Sequence, residues 1–254
     1  MLFSEQLLIN AVIVLIAFLF VLYAYLKRKI NTSAFIGTLV LGVIILVTLR
    51  HLGYAGVLTL LAFFLLGNFV TKYKYEKKAM LGVAEGNKGM RDVNNVLGNG
   101  LSPLIFAVLY AFSHDNVFLL GFSGSVATAC ADTFSTEIGQ AEGTPRLITT
   151  LKKVPVGTNG GVSLPGLIAS LLGSFLISLV CLIFWLDLQM TTGTIFSLLC
   201  VCLLSGFLGC LMDSIFGATA EDKNPLKLNK HHVNILATLS GGIFAVIFGY
   251  SFGM

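Results

Sequence analysis

Apolar residues run along this chain in eight long stretches separated by polar turns: Leu7–Leu26, Thr32–Leu49, Tyr54–Val70, Val96–Phe112, Val117–Ile138, Val162–Leu186, Thr194–Phe216 and Val233–Phe252. They are 17 to 25 residues long, and about 20 helical residues cross the hydrocarbon core of a bilayer. In lipid every backbone amide needs an internal partner, so such stretches predict helices. The strict two-residue alternation of a membrane barrel is absent. The fourth stretch is interrupted near its start by Asn99, Gly100 and Pro103. The pattern predicts an all-α, polytopic transmembrane bundle of about eight helices, a single membrane domain spanning residues 1–254.

Basic residues orient that bundle. Lys27, Arg28 and Lys29 follow the first stretch. Lys72, Lys74, Lys77, Lys78, Lys88 and Arg91 follow the third, Arg146, Lys152 and Lys153 the fifth, and Lys223, Lys227 and Lys230 the seventh. Of the 16 basic residues only Arg50 falls on the opposite side. The excess of Lys and Arg in cytoplasmic loops predicts that these four loops face the cytoplasm and both termini face outside. The first stretch has no basic segment ahead of it, carries Glu5, and is followed by a basic cluster, which favours an inserted helix over a cleaved leader.

Composition agrees. The chain is 56% hydrophobic and 11% charged, against about 25% charged for an ordinary soluble domain. The net charge of +4 is accounted for by topology, and no basic surface interleaved with aromatics suggests nucleic acid. The five cysteines all fall in apolar stretches, with no C-x-x-C pair, and read as packing residues. His231 and His232 read as interfacial side chains beside Lys230.

The outer loops are short and bland, whereas the basic side carries motif loops at about 71–100, 139–162 and 217–232. Four polar segments stand out there. Glu85–Gly100 combines glycines with Asn87, Lys88, Arg91, Asp92, Asn95 and Asn99. Lys and Arg suit phosphate, Arg through two parallel hydrogen bonds. Ala131–Gly139 (ADTFSTEIG) brings two acids to a membrane helix, where ionisable groups are costly and usually functional. Helical periodicity puts Asp132, Ser135 and Thr136 on one face and turns Glu137 about 140° away. Val154–Gly166 (VPVGTNGGVSLPG) is a glycine-rich turn leading into a helix, whose amides favour an anion at Thr158, Asn159, Gly160 and Gly161. It lacks the G-K-[ST] of a Walker A loop. In Gly209–Thr219 (GCLMDSIFGAT), Ser205, Gly209, Asp213 and Gly217 recur every four residues, which sets Asp213, beside Ser214, in a stripe of small residues facing other helices.

Collected on one side of a bilayer, Asp92, Asp132, Glu137 and Asp213 with nearby phosphate-binding groups suit Mg²⁺. Phosphoryl transfer needs mainly positioning and charge neutralisation. A site at the membrane surface can take a soluble nucleotide from one side and a lipid from the other.

Together, N-K-G-x-R-D-x-x-N-V-L-x-N-G (Asn87–Gly100), A-D-T-x-S-T-E-I-G (Ala131–Gly139), V-P-V-G-T-N-G-G-V-S (Val154–Ser163) and G-C-x-x-D-S-x-x-G-A-T (Gly209–Thr219) resemble the integral membrane family that includes plant phytyl-phosphate kinase and animal transmembrane protein 19. The resemblance runs from about Thr32 to the C-terminus. It implies phosphorylation of an isoprenyl monophosphate to its diphosphate by a nucleoside triphosphate, CTP in the plant enzyme. On that reading Asp132 and Asp213, with Glu137 or Asp92, hold Mg²⁺. Lys88 and Arg91 neutralise phosphoryl charge, and Thr158–Gly161 cradle phosphate. Asn87, Asn95, Asn99, Ser135, Thr136 and Ser214 complete the polar lining, and the prenyl tail lies among the fourth to eighth stretches. The expected location is a bacterial plasma membrane with the site facing the cytoplasm. Two other readings use the same residues: a transporter or flippase for a lipid phosphate or small anion, and a nucleotidyltransferase acting on a lipid phosphate.

Overall fold

The computed structural model describes residues 2–85, 89–185, 192–223, 225 and 227–253. All eight apolar stretches are helical: α1 (Leu2–Leu26), α2 (Thr32–Thr48), α3 (Gly53–Thr71), α5 (Val93–Ser113), α6 (Val117–Glu142), α7 (Leu164–Cys181), α8 (Thr192–Thr219) and α9 (Lys230–Ser251). A short helix, α4 (Tyr75–Met80), lies between α3 and α5. Six of the long helices are long and apolar enough to cross a membrane, while the apolar segments Asn10–Leu26 and Thr32–Thr48 are shorter. Seventeen residues at 1.5 Å per residue reach about 26 Å, a little under the roughly 30 Å hydrocarbon core. The protein is thus a multi-pass helical membrane bundle, with six full spans and two shorter apolar helices among the described residues.

Local chemistry explains the boundaries. Asn31 caps α2 by accepting a hydrogen bond from the Ala34 amide at 2.8 Å. Asp92 caps α5: its Oδ1 accepts from the Asn94 and Asn95 amides at 2.9 and 3.2 Å, and Asn95 Oδ1 accepts from the Asp92 amide at 3.0 Å. This reciprocal box satisfies otherwise orphaned amides and starts α5 three residues before the expected Val96. Pro103 sits inside α5 without ending it. Ser163 caps α7, with Pro165 in the first turn, where its missing N–H costs nothing.

The centre of the bundle is α6, which touches α3, α4, α5, α7, α8 and α9. Its sequence from Gly121 to Ala131 is mostly small residues, and 83% of its apolar window is buried. Small residues let helices approach closely in a membrane. Side chains at Gly209 or Gly241 would overlap Thr128 of α6, which is why α8 and α9 carry glycine there. Cys130, Cys181, Cys202 and Cys210 are buried free thiols, in keeping with a packing role. At the opposite flank, α1 rests mainly on α2 and α3.

Candidate functional site: an acidic cavity at the end that bears the basic loops

Four segments far apart in sequence meet around one polar cavity of about 300 Å³. Helix α6 contributes Asp132, Ser135, Thr136 and Gly139, one helical face as their spacing predicts. Helix α8 contributes Asp213 and Ser214, and α9 contributes Lys230 and Asn234, one turn apart. The fourth wall is the loop Val156–Gly161.

That loop is held from both sides. Arg146–Leu147 pairs antiparallel with Gly161–Val162, and the Ile148 amide donates to the Gly160 carbonyl at 3.0 Å. Gly157 and Gly160 have positive φ, 86° and 75°, a region open to glycine at little cost. A side chain at Gly160 would overlap Ala218 at the end of α8, so glycine also sets how closely the loop sits on that helix. Alternating backbone hand of this kind turns successive amides to one side and makes a concavity for anions.

Asp132 of α6 and Asp213 of α8 both line the cavity. The Oδ1 atom of Asp213 is shielded from solvent and finds no hydrogen-bond partner among the described residues. A buried carboxylate oxygen left without a donor is an expensive arrangement unless a cation or donor completes it. Lys230 supplies nearby positive charge; its Nζ lies 3.4 Å from Glu85 Oε2. Half-buried Glu221 also lines the cavity, and burial, reinforced by Asp222, pushes its carboxyl above the usual range.

The expected four-carboxylate cluster does not form. Among the described residues no three His, Cys, Asp or Glu side chains lie close enough to share a metal ion. Glu137 points away from Asp132, as its rotation on the helix requires, and pairs with Lys78 of α4. Lys78 is wholly buried and also donates to the Thr71 carbonyl at 3.0 Å. Together with Tyr73, Lys74 and Lys77, which bind Glu142 and the Ala141 carbonyl, it clamps α4 onto the last turns of α6. Asp92 and Asn95 are consumed by the cap of α5. Neither Glu137 nor Asp92 is therefore available as a third ligand. Asn95, Asn99 and Arg91 line a second, apolar hollow instead of the polar cavity. Asn87 and Lys88 lie outside the described residues.

Three of the four sequence motifs thus build the cavity: Ser135, Thr136, Thr158, Asn159, Gly160, Gly161 and Ser214 all line it with the two aspartates. Sequence reasoning missed Lys230, Asn234 and Glu221. The four-residue spacing of Lys230 and Asn234 was the available signal, since it sets both on one face of α9.

These features define a polytopic helical membrane protein with an acidic cavity walled by a glycine-rich loop at one end of the bundle. The chain belongs to the integral membrane protein family DUF92, which it matches over residues 15–242, and which includes plant phytyl-phosphate kinase. It is 37% identical over 223 residues to an uncharacterised membrane protein of Methanocaldococcus jannaschii, covering 87% of this chain and 86% of that one. It is 38% identical over 208 residues to the chloroplastic protein VTE6 of Arabidopsis thaliana, covering 79% of this chain but 60% of that longer protein. An uncharacterised membrane protein of Synechocystis sp. is 35% identical over 239 residues, 92% of this chain and 88% of its own length. No solved structure matches the chain.

Proposed function

We propose that the protein is a membrane phosphotransferase that converts an isoprenyl monophosphate to its diphosphate with a nucleoside triphosphate, CTP being the expected donor. The observation that carries this reading is the Asp132–Asp213 pair, with its unpartnered Oδ1, inside a cavity walled by a glycine-rich loop. Family membership alongside VTE6 supports it.

The donor set suits Mg²⁺. This ion is typically bound by one or two carboxylates plus substrate phosphates rather than by an all-protein cage, so two aspartates suffice where a third carboxylate is missing. Asp132 and Asp213 would hold the ion, which would neutralise charge on the triphosphate. The chain's own groups do the rest. Amides of Thr158–Gly161 and the hydroxyls of Ser135, Thr136 and Ser214 orient the triphosphate. Lys230 offsets charge that spreads over the transferring group. The acceptor phosphate is already anionic near neutral pH, so no strong general base is needed. The Lys and Arg asymmetry supports a cytoplasm-facing cavity, where nucleotide is supplied.

Purified protein in detergent, given γ-labelled CTP, Mg²⁺ and prenyl monophosphates of several lengths, should form labelled prenyl diphosphate and CDP. Absence of product across nucleotides and chain lengths would sink the proposal. Release of pyrophosphate would indicate nucleotidyl transfer, and nucleotide-independent uptake of prenyl phosphate into liposomes would indicate a transporter.

A further inference from the structure

The second hollow, of about 240 Å³, lies between α1, α2, α3 and α5. Its walls are hydrocarbon, from residues such as Val21, Leu39, Val43, Leu60, Phe64 and Val96. Along α2 it runs from Thr38 to Leu46, about 12 Å at the helical rise. Gly42 lines it, and a Cβ there would meet no heavy atom within 4 Å. The space is therefore open rather than a gap between touching side chains. Open space with apolar walls suits a flexible hydrocarbon chain.

One end of this greasy channel carries a cation. Arg91 lines it with its guanidinium 5.8 Å over the Phe63 ring. Among the described residues that guanidinium forms no ion pair and no hydrogen bond. Its backbone, by contrast, is fixed: the Arg91 amide donates to the Lys29 carbonyl and the Asn31 amide donates to the Arg91 carbonyl, both at 3.0 Å. Gly67 makes room for it, since a Cβ there would lie 2.8 Å from an Arg91 nitrogen and 3.7 Å from Thr133 Cγ2. Thr133 follows Asp132 in sequence, so the guanidinium lies beside the turn of α6 that carries Asp132, on a face about 100° round that helix from it. Glu85 and Glu137 act on this charge only through space, with no ion pair formed, which leaves its hydrogen-bonding edge open to an anion, and Arg matches phosphate with two parallel bonds.

We infer that this groove holds the hydrocarbon tail of the phosphorylated prenyl acceptor, with its phosphate on Arg91 and its chain between α2 and α3. The inference rests on the phosphotransferase reading for the identity of the lipid, and it moves the tail away from α6–α9, whose cavity is walled by polar groups. Arg91 is then a binding residue for the acceptor, and the aspartate cavity serves the nucleotide.

The test is photolabelling of the intact protein in lipid nanodiscs with a prenyl monophosphate carrying a diazirine on its chain. Labels should map to α2 and α3, between Thr38 and Leu46 and between Val57 and Phe64. An excess of unlabelled prenyl monophosphate should remove them, and an excess of phosphatidylglycerol should not. Labels on α7–α9, or equal competition by phosphatidylglycerol, would overturn the inference. Gly42→Leu should raise KM for a long-chain acceptor about tenfold relative to a short one, on the scale of small changes in an apolar pocket, with KM for nucleotide unchanged. An unchanged chain-length preference in a well-folded Gly42→Leu protein would also overturn it. Groove labelling without any diphosphate formation would keep the lipid site and refute the phosphotransferase reading. Diphosphate formation with labels elsewhere would do the reverse.

Discussion

The two halves of this bundle solve opposite packing problems. Around α6 the helices are drawn together by small residues, so that α8 and α9 touch it where Gly209 and Gly241 admit Thr128. Around α2 and α3 the side chains are large, yet a hollow remains in which Gly42 faces empty space. The apolar window of α6 is 83% buried, against 44% for that of α3. The close-packed half can hold two carboxylates at a fixed separation, which charge chemistry demands. The open half can accept a chain of no fixed shape, which a lipid demands. Close packing is concentrated around the acidic cavity and relaxed around the apolar groove.

The sharpest way to break that contrast is at the aspartates. Asp132→Asn and Asp213→Asn should each lower kcat for diphosphate formation by about 10²- to 10³-fold, the scale of losing one electrostatic contact to a transferring group. Their thermal midpoints should stay level or rise, because each removes a carboxylate from a like-charged pair. A variant with near-normal kcat would remove that residue from the chemistry. Next is the buried ion pair outside the cavity. Lys78→Met strands Glu137 and should destabilise the fold by about 3–5 kcal/mol, whereas pairing it with Glu137→Leu should recover most of that loss. Equal losses in the single and double variants, measured by thermal unfolding in detergent, would mean that the lysine serves something other than this pair. Third, Gly209→Val should cost about 1–3 kcal/mol through overpacking. Gly42→Val should stay within about 0.5 kcal/mol, and similar costs at the two sites would erase the packing contrast. Smallest is Glu221→Gln, which takes one negative charge from the cavity wall and should lower KM for nucleotide severalfold at most. A rise in KM would instead make Glu221 part of the binding set.

The long helices were plain in the sequence because lipid leaves the backbone one solution. The face formed by Asp132, Ser135 and Thr136 was equally plain, since helical spacing alone fixes it, and so was the divergence of Glu137. What periodicity cannot supply is the partner across a gap. Glu137 read as a metal ligand until Lys78, 59 residues away in sequence, proved to neutralise it. Helix α4 escaped notice because six residues with two lysines look like any basic loop. Asp92 carried a visible warning: an Asp followed three residues later by Asn is a capping pattern, and its setting among glycines and cations lent it a chemical look. The apolar groove had no signature at all, because residues that line a void and residues that fill a core are the same residues.

The position of the groove along the chain is compatible with an order of assembly. Its described walls run from Val14 to Gly100, whereas the acidic cavity is unfinished until Asn234. As segments of a growing chain settle from the N-terminus onward, the lipid-facing hollow can take shape in the bilayer while the helices that complete the charged cavity are still unsynthesised. A hydrocarbon chain lodged there early could act as a scaffold for the helices that follow. Lipid composition during synthesis would then bear on yield before it bears on turnover.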